Sequence, residues 1–216
     1  MKNFPLTLLL LLCASLFNAQ SFFRGAMVFD FNTGIEAYHT NNTYTIRQSG
    51  ASSDTTVKDA AASGHATLGM EIGIKKRWGV GVRGKANSFF ANVDAVTHQR
   101  ADIRSTDLLL LLNFHPVITK KFDLIVGTDI GFSALKISVD DVYNTVRRGN
   151  GAYASLYINP RLYFKRFGIN LKTYLPYVTY ANLRSNQSQV DQFMISKWKA
   201  SGVGVSLGIQ YRLFKP

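Results

Sequence analysis

The stretch Ser201–Phe214 reads SGVGVSLGIQYRLF. Val203, Val205, Leu207, Ile209, Tyr211 and Leu213 fall on one face, and Gly204, Ser206, Gly208, Gln210 and Arg212 on the other. A period of two is that of an extended strand with one apolar and one polar face. The segment has 14 residues, whereas a strand in a water-soluble sheet usually has about 5–6. A strand tilted across a bilayer needs roughly 9–11. Length and alternation together point to a membrane-crossing strand.

Seven further segments repeat the pattern. Met27–Tyr38 sets Met27, Phe29, Phe31 and Ile35 against Asp30, Asn32 and Glu36. Gly64–Lys75 sets Ala66, Leu68, Met70 and Ile72 against His65, Thr67 and Glu71, and Trp78–Ala91 sets Trp78, Val80, Val82 and Phe90 against Arg83, Lys85 and Asn87. In Arg104–His115 the run Leu108–Leu112 blurs the alternation, although Asp107, Asn113 and His115 share one parity. Phe122–Leu135, Ala152–Lys165 and Phe167–Tyr180 complete the set. Backbone groups facing lipid must all be paired, so such strands have to close into a barrel.

The connections alternate in length. Those at Lys75–Arg77, Pro116–Lys121 and Lys165–Arg166 are short. Those at His39–Ala62, Asn92–Ile103, Lys136–Gly151 and Ala181–Ala200 are long and polar. Short periplasmic turns and long extracellular loops are the habit of outer-membrane barrels. The expected fold is therefore all-β, an eight-stranded antiparallel up-and-down transmembrane β-barrel. An exported lipocalin-like barrel is the soluble alternative, but its apolar face would point inward. Here the polar face carries Gly, Asp and Arg, which suits a narrow, filled lumen.

Composition agrees with this. The chain has 216 residues, 46% hydrophobic, with a mean hydropathy of zero. No run approaches about 18 consecutive apolar residues, which excludes a bundle of membrane-spanning helices. The lone Cys13 excludes a disulfide framework, and no Cys/His cluster has zinc-site spacing. Met1–Gln20 reads as a secretory signal peptide: Lys2 supplies the positive charge, Leu6–Leu12 the apolar stretch, and Ala14, Asn18, Ala19 and Gln20 the small and polar end. The expected cut lies after Ala19 or Gln20. Leu12 stands where a lipoprotein signal carries a small residue, which argues against lipidation of Cys13. The expected division is a signal at residues 1–20 and a barrel domain at residues 21–216.

Trp78, Phe114, Phe122, Phe164, Phe167 and Tyr211 all fall on the apolar face near the short turns. They are expected to form an aromatic girdle at the periplasmic interface. Phe90 and Tyr177 mark a weaker opposite girdle. Pro160 and Pro176 lie inside strands that have no free edge, so a bulge or local unpairing is expected at each. Signal, eight alternating strands, short turns below and long loops above resemble the OmpA/OmpX-type small outer-membrane β-barrels. The ending Asn18-Ala19-Gln20 is similar to signals of Bacteroidota outer-membrane proteins. The resemblance covers about residues 25–214 by the periodicity alone. It implies a place in the outer membrane of a Gram-negative bacterium and carries no catalytic residue.

The inward-facing charges alternate by sector. Asp30, Glu36 and Glu71 are followed by Arg83 and Lys85, then by Asp107, Asp123 and Asp129, then by Arg161, Lys165, Lys172 and Arg212. Acids and bases balance, and buried charges must be paired. A structural salt-bridge network fits an eight-stranded lumen better than an ion path does. The net charge of +12 lies elsewhere. Arg24, Lys75, Lys76, Arg77, Lys120, Lys121, Arg166 and Lys215 form a basic periplasmic rim with no acid among them. Such a rim reaches phospholipid phosphates or docks an acidic periplasmic protein. The expected partners are outer-membrane lipids and lipopolysaccharide, and other outer-membrane or periplasmic proteins through that rim, with no nucleic acid.

Two features bear on enzymatic function. His65-Ala66-Thr67 resembles the H-x-S spacing of lipid A deacylase barrels, with Thr in place of Ser and an inward register. His39, beside Ser52, Ser53 and Asp54, resembles the arrangement of a lipid A palmitoyltransferase barrel. Asp54-Thr55-Thr56 is similar to a short O-glycosylation acceptor. No cofactor loop, calcium loop or nucleophile elbow is present. The expected function is a non-enzymatic envelope-structural or docking barrel, a candidate subunit of a larger assembly. A lipid-modifying enzyme and a narrow channel are the alternatives.

Overall fold

The computed structural model describes residues 22–48, 51–90, 101–139, 145–186 and 193–213. The signal-like stretch and Lys215 lie outside them. Eight strands follow one another: β1 (Met27–Gln48), β2 (Ala51–Lys75), β3 (Trp78–Phe89), β4 (Ala101–Ile118), β5 (Phe122–Val139), β6 (Val146–Phe164), β7 (Phe167–Ser185) and β8 (Phe193–Arg212). Each pairs antiparallel with its chain neighbours, and β1 closes on β8 to complete the barrel. No helix occurs among the described residues.

Side-chain exposure follows the period of two. Leu108, Leu110, Phe132, Leu156 and Leu207 each expose 65–79% of their surface, while Asp30, Glu71, Arg83 and Asp129 are buried at 0–2%. A water-soluble barrel has the opposite arrangement. An apolar belt this continuous is a surface for lipid.

The strands run further than the alternation does. β1 and β2 continue as a paired hairpin to Gln48 and Ala51, where a long loop from His39 to Ala62 was expected. Residues such as Thr43, Thr45, Thr55, Thr56 and Val57 favour extended backbone without favouring either face. Pairing therefore persists where alternation stops. The other long connections shorten in the same way, because β5 reaches Val139, β6 begins at Val146 and β7 reaches Ser185. β3 ends two residues early, at Phe89 instead of Ala91.

Both prolines interrupt a ladder as expected. Pro160 keeps its partner Leu124 on β5, but pairing between β6 and β7 lapses between Ile158↔Thr173 and Arg161↔Asn170. Pro176 keeps Ser155 on β6, and pairing between β7 and β8 lapses between Tyr174↔Gly204 and Tyr177↔Ser201. In each case the missing N–H faces the side that opens.

The interior has two parts. Charged side chains run from the short-turn end up to Glu36, Lys85 and Asp107. The half nearer the long hairpins holds an aromatic and aliphatic cluster that includes Tyr38, Phe89, Leu109, Leu135, Tyr153, Tyr180 and Trp198. Tyr180 stacks on Trp198 at 5.5 Å between ring centres, and Phe89 meets Trp198 edge-on at 5.0 Å.

Candidate functional site

The inward charges form three tiers. Nearest the short turns, Glu71 accepts from Arg161 Nη1 at 2.7 Å and meets His115 Nε2 at 2.9 Å. The other ring nitrogen of His115 lies 2.9 Å from Asp123 Oδ1. Phe22, just ahead of β1, turns under the barrel and stacks on the His115 ring at 3.7 Å between centres. The Gly25 N–H donates to the Gly73 carbonyl at 2.7 Å and anchors this segment. Gly73 has to be glycine, because a Cβ there would lie 2.2 Å from the Phe23 carbonyl oxygen.

In the middle tier Arg83 donates to Asp129 at 2.8 Å and to Asp30 at 3.3 Å, and Lys172 donates to Asp129 at 2.6 Å. Lys172 also sits 3.8 Å from the centre of the Tyr157 ring. In the upper tier Lys85 pairs with Glu36, which accepts further bonds from Tyr38 at 2.6 Å and Ser63 at 3.0 Å. Asp30, Glu36, Glu71 and Asp129 each have at least two partners, which is the condition for keeping charge away from water.

Eleven of the twelve expected lumen residues are buried, and Lys165 is the exception. It is exposed in the turn between β6 and β7, with a left-handed φ of 64°. The two-residue connection takes it out of the strand, so its parity no longer says where it points. One buried member lacks the partner class expected. Asp107 is held by Ser133 at 2.5 Å and Asn87 at 3.1 Å, with no cation in pairing distance among the described residues. Arg212 lies over the Tyr163 ring and donates to the Lys165 carbonyl at 3.2 Å. His115 joins two carboxylates and was left out of the charge balance because imidazole is formally neutral. Its parity with Asp107 and Asn113 was the available signal.

The girdle residues stand where alternation placed them. Trp78 and Phe114 face each other across β3 and β4 with ring centres 5.0 Å apart. Phe167 and Tyr211 do the same across β7 and β8, also at 5.0 Å. Phe164 lies directly opposite Phe167, and Phe122 is half-buried at the same end. Below them the basic rim is fully displayed: Arg24, Lys75, Lys76, Arg77, Lys120, Lys121 and Arg166 are all exposed, and Lys165 joins them. The exposed acids among the described residues, Asp54, Asp59 and Asp102, all sit at the opposite end.

The enzymatic candidates do not assemble. His65 is buried inside the barrel, edge-on to Tyr174, and receives no approach from the outward face. His39 pairs with Ala60 in mid-strand, while Ser53 lies opposite Ile46. Seven residues of strand separate the two levels, roughly 23 Å. General-base chemistry needs contact at about 3 Å.

No family model and no curated protein matches the chain. Solved structures do. The outer membrane protein OprG from Pseudomonas aeruginosa is 14% identical with a TM-score of 0.50, covering 88% of this chain and 97% of that one. Ail, the attachment invasion locus protein of Yersinia pestis, is 12% identical with a TM-score of 0.46, covering 88% and 99%. The outer membrane protease OmpT from Escherichia coli is 9% identical with a TM-score of 0.47, covering 91% and 99%. At such identities the likeness is one of fold.

Proposed function

We propose that this chain is a non-enzymatic barrel of the Gram-negative outer membrane whose short-turn end faces the periplasm and docks an acidic partner there. The carrying observation is the contrast between its two polar surfaces. Most of the lumen charges are paired with one another, whereas the rim presents eight exposed bases with no exposed acid beside them among the described residues. A charge-filled lumen supports a structural core over a channel. A one-signed rim supports an anionic counterpart, with charge speeding the encounter. The signal-like Met1–Gln20 supports export, and the ending Asn18-Ala19-Gln20 supports a Bacteroidota source.

Reversing Lys75, Lys76, Lys120 and Lys121 to Glu tests the docking. Proteins that co-purify with wild type after mild detergent extraction should be lost, while barrel abundance and heat-modifiable migration stay unchanged. If every co-purifying protein survives the reversal, the rim anchors phospholipid phosphates instead.

Orientation has its own test. A protease site inserted at Asn186 should be cut on intact cells, and one at Lys120 should be cut only after the outer membrane is opened. Surface cutting at Lys120 would invert the barrel.

A further inference from the structure

The outward face carries a row of cations that the apolar belt does not explain. Arg104 lies directly opposite Lys136, Lys136 opposite Arg148, and Arg148 opposite Arg184, so β4, β5, β6 and β7 each contribute one. All four are exposed. Neighbouring strands are about 4.8 Å apart, so the row spans roughly 15 Å. Like charges directly opposite across strands are destabilising. Among the described residues one acid answers them: Asp102 lies 3.0 Å from Arg104.

The backbone is shaped to complete the row. Between Arg148↔Arg184 and Asn150↔Ala181 the register shifts, with one extra residue on β7. A bulge of this kind re-aims a side chain. Here Leu183 turns into the interior cluster, and Arg184 turns outward beside Arg148. A cavity of about 500 Å³ bounded by Lys136, Arg148, Arg184 and Asn186 lies against the row, and a second of about 450 Å³ flanks Arg148 and Arg184.

Height identifies the occupant. On β5, Lys136 stands four residues beyond Phe132, which is 79% exposed. On β4, Arg104 stands four residues beyond Leu108, which is 67% exposed. The row is therefore at headgroup level, just past the belt. We infer that Arg104, Lys136, Arg148 and Arg184 bind the phosphates of a multiply phosphorylated glycolipid in the outer leaflet. Two phosphomonoesters carry about −3 to −4 together, which balances the row where a single phosphodiester does not. Arginine supplies paired donors to each phosphate. The inference rests on the orientation proposed above.

The test uses the full barrel in phosphatidylcholine nanodiscs, with diphosphoryl lipid A as probe and phosphatidylglycerol as comparison. Replacing Lys136, Arg148 and Arg184 together by Gln should weaken lipid A binding by about tenfold or more. Binding of phosphatidylglycerol should change little. The same substitutions at Lys75, Lys76 and Lys121 should leave lipid A binding intact. In lipid-A-free detergent the outer triple variant should unfold at or above the wild-type midpoint, because repulsion has been removed. Equal lipid A binding by wild type and the outer variant would overturn the site, as would equal losses from the two variants. A lowered midpoint would also overturn it, showing that the row is neutralised within the protein, for example by Asp140 and Asp141 of the neighbouring connection. Should Asn186 prove inaccessible on intact cells while the lipid A result holds, the orientation fails and the phosphate site stands.

Discussion

Arg83→Ala should lower the unfolding midpoint of the refolded barrel by an amount equivalent to about 3–5 kcal/mol. Arg83 is 2% exposed and is the only cation within pairing distance of Asp30 among the described residues. Asp129 would keep Lys172 at 2.6 Å, but among the described residues Asp30 would keep only the Asn32 amide, at 2.5 Å. An amide does not offset a buried carboxylate. Asp30→Asn added to Arg83→Ala should therefore recover part of the loss.

Val82, the preceding residue, points the other way. It is 44% exposed and faces the lipid belt opposite Leu110. Val82→Ala should cost about 1 kcal/mol or less, because a lipid chain fills the space of the missing methyls. Urea midpoints of the two variants in one detergent compare them directly. Equal shifts would mean that the inside and outside of β3 are reversed.

That contrast shows which part of the molecule was legible in the sequence. Val82 and Arg83 differ by one position, and alternation alone placed them on opposite faces. The same rule placed the girdle and eleven of the twelve lumen charges. It failed where its physical basis stops. Beyond the belt both faces meet water, so Thr43 and Thr56 pair across β1 and β2 with no apolar face to announce the strands. At Leu109 and Leu111 of β4 the inward face is apolar too, so both vanish into the run Leu108–Leu112. Tyr153, Tyr157 and Tyr174 are buried on the inward face and carry no charge, so a balance of acids and bases does not include them. They cover Lys85, Lys172 and Arg83 with ring faces. Phe22 precedes the first strand, so no periodicity includes it. The row from Arg104 to Arg184 depends on register between four strands and on one bulge, which sequence spacing does not encode.

Glu71 and Arg161 show what the filled lumen does for the fold. Glu71 is fully buried, and Arg161 is 1% exposed with its Nε already lacking a partner. Glu71→Leu leaves that guanidinium without a carboxylate in pairing distance among the described residues and should cost about 3–5 kcal/mol. Arg161→Leu should cost less, because His115 remains 2.9 Å from Glu71. Replacing both by Leu removes the two charges together, and buried pairs exchanged for apolar residues are often neutral or better. The double variant should therefore be more stable than Glu71→Leu alone, returning to within about 2 kcal/mol of wild type. His115 would keep Asp123 in that variant, so the Phe22 stack should persist and its protection from proteolysis can be followed separately. A double variant as damaged as the sum of its parts would mean that Glu71 and Arg161 are not energetic partners. Recovery would mean that the network's net stabilisation is small, and that its role is to hold one register of eight strands around one arrangement of charges.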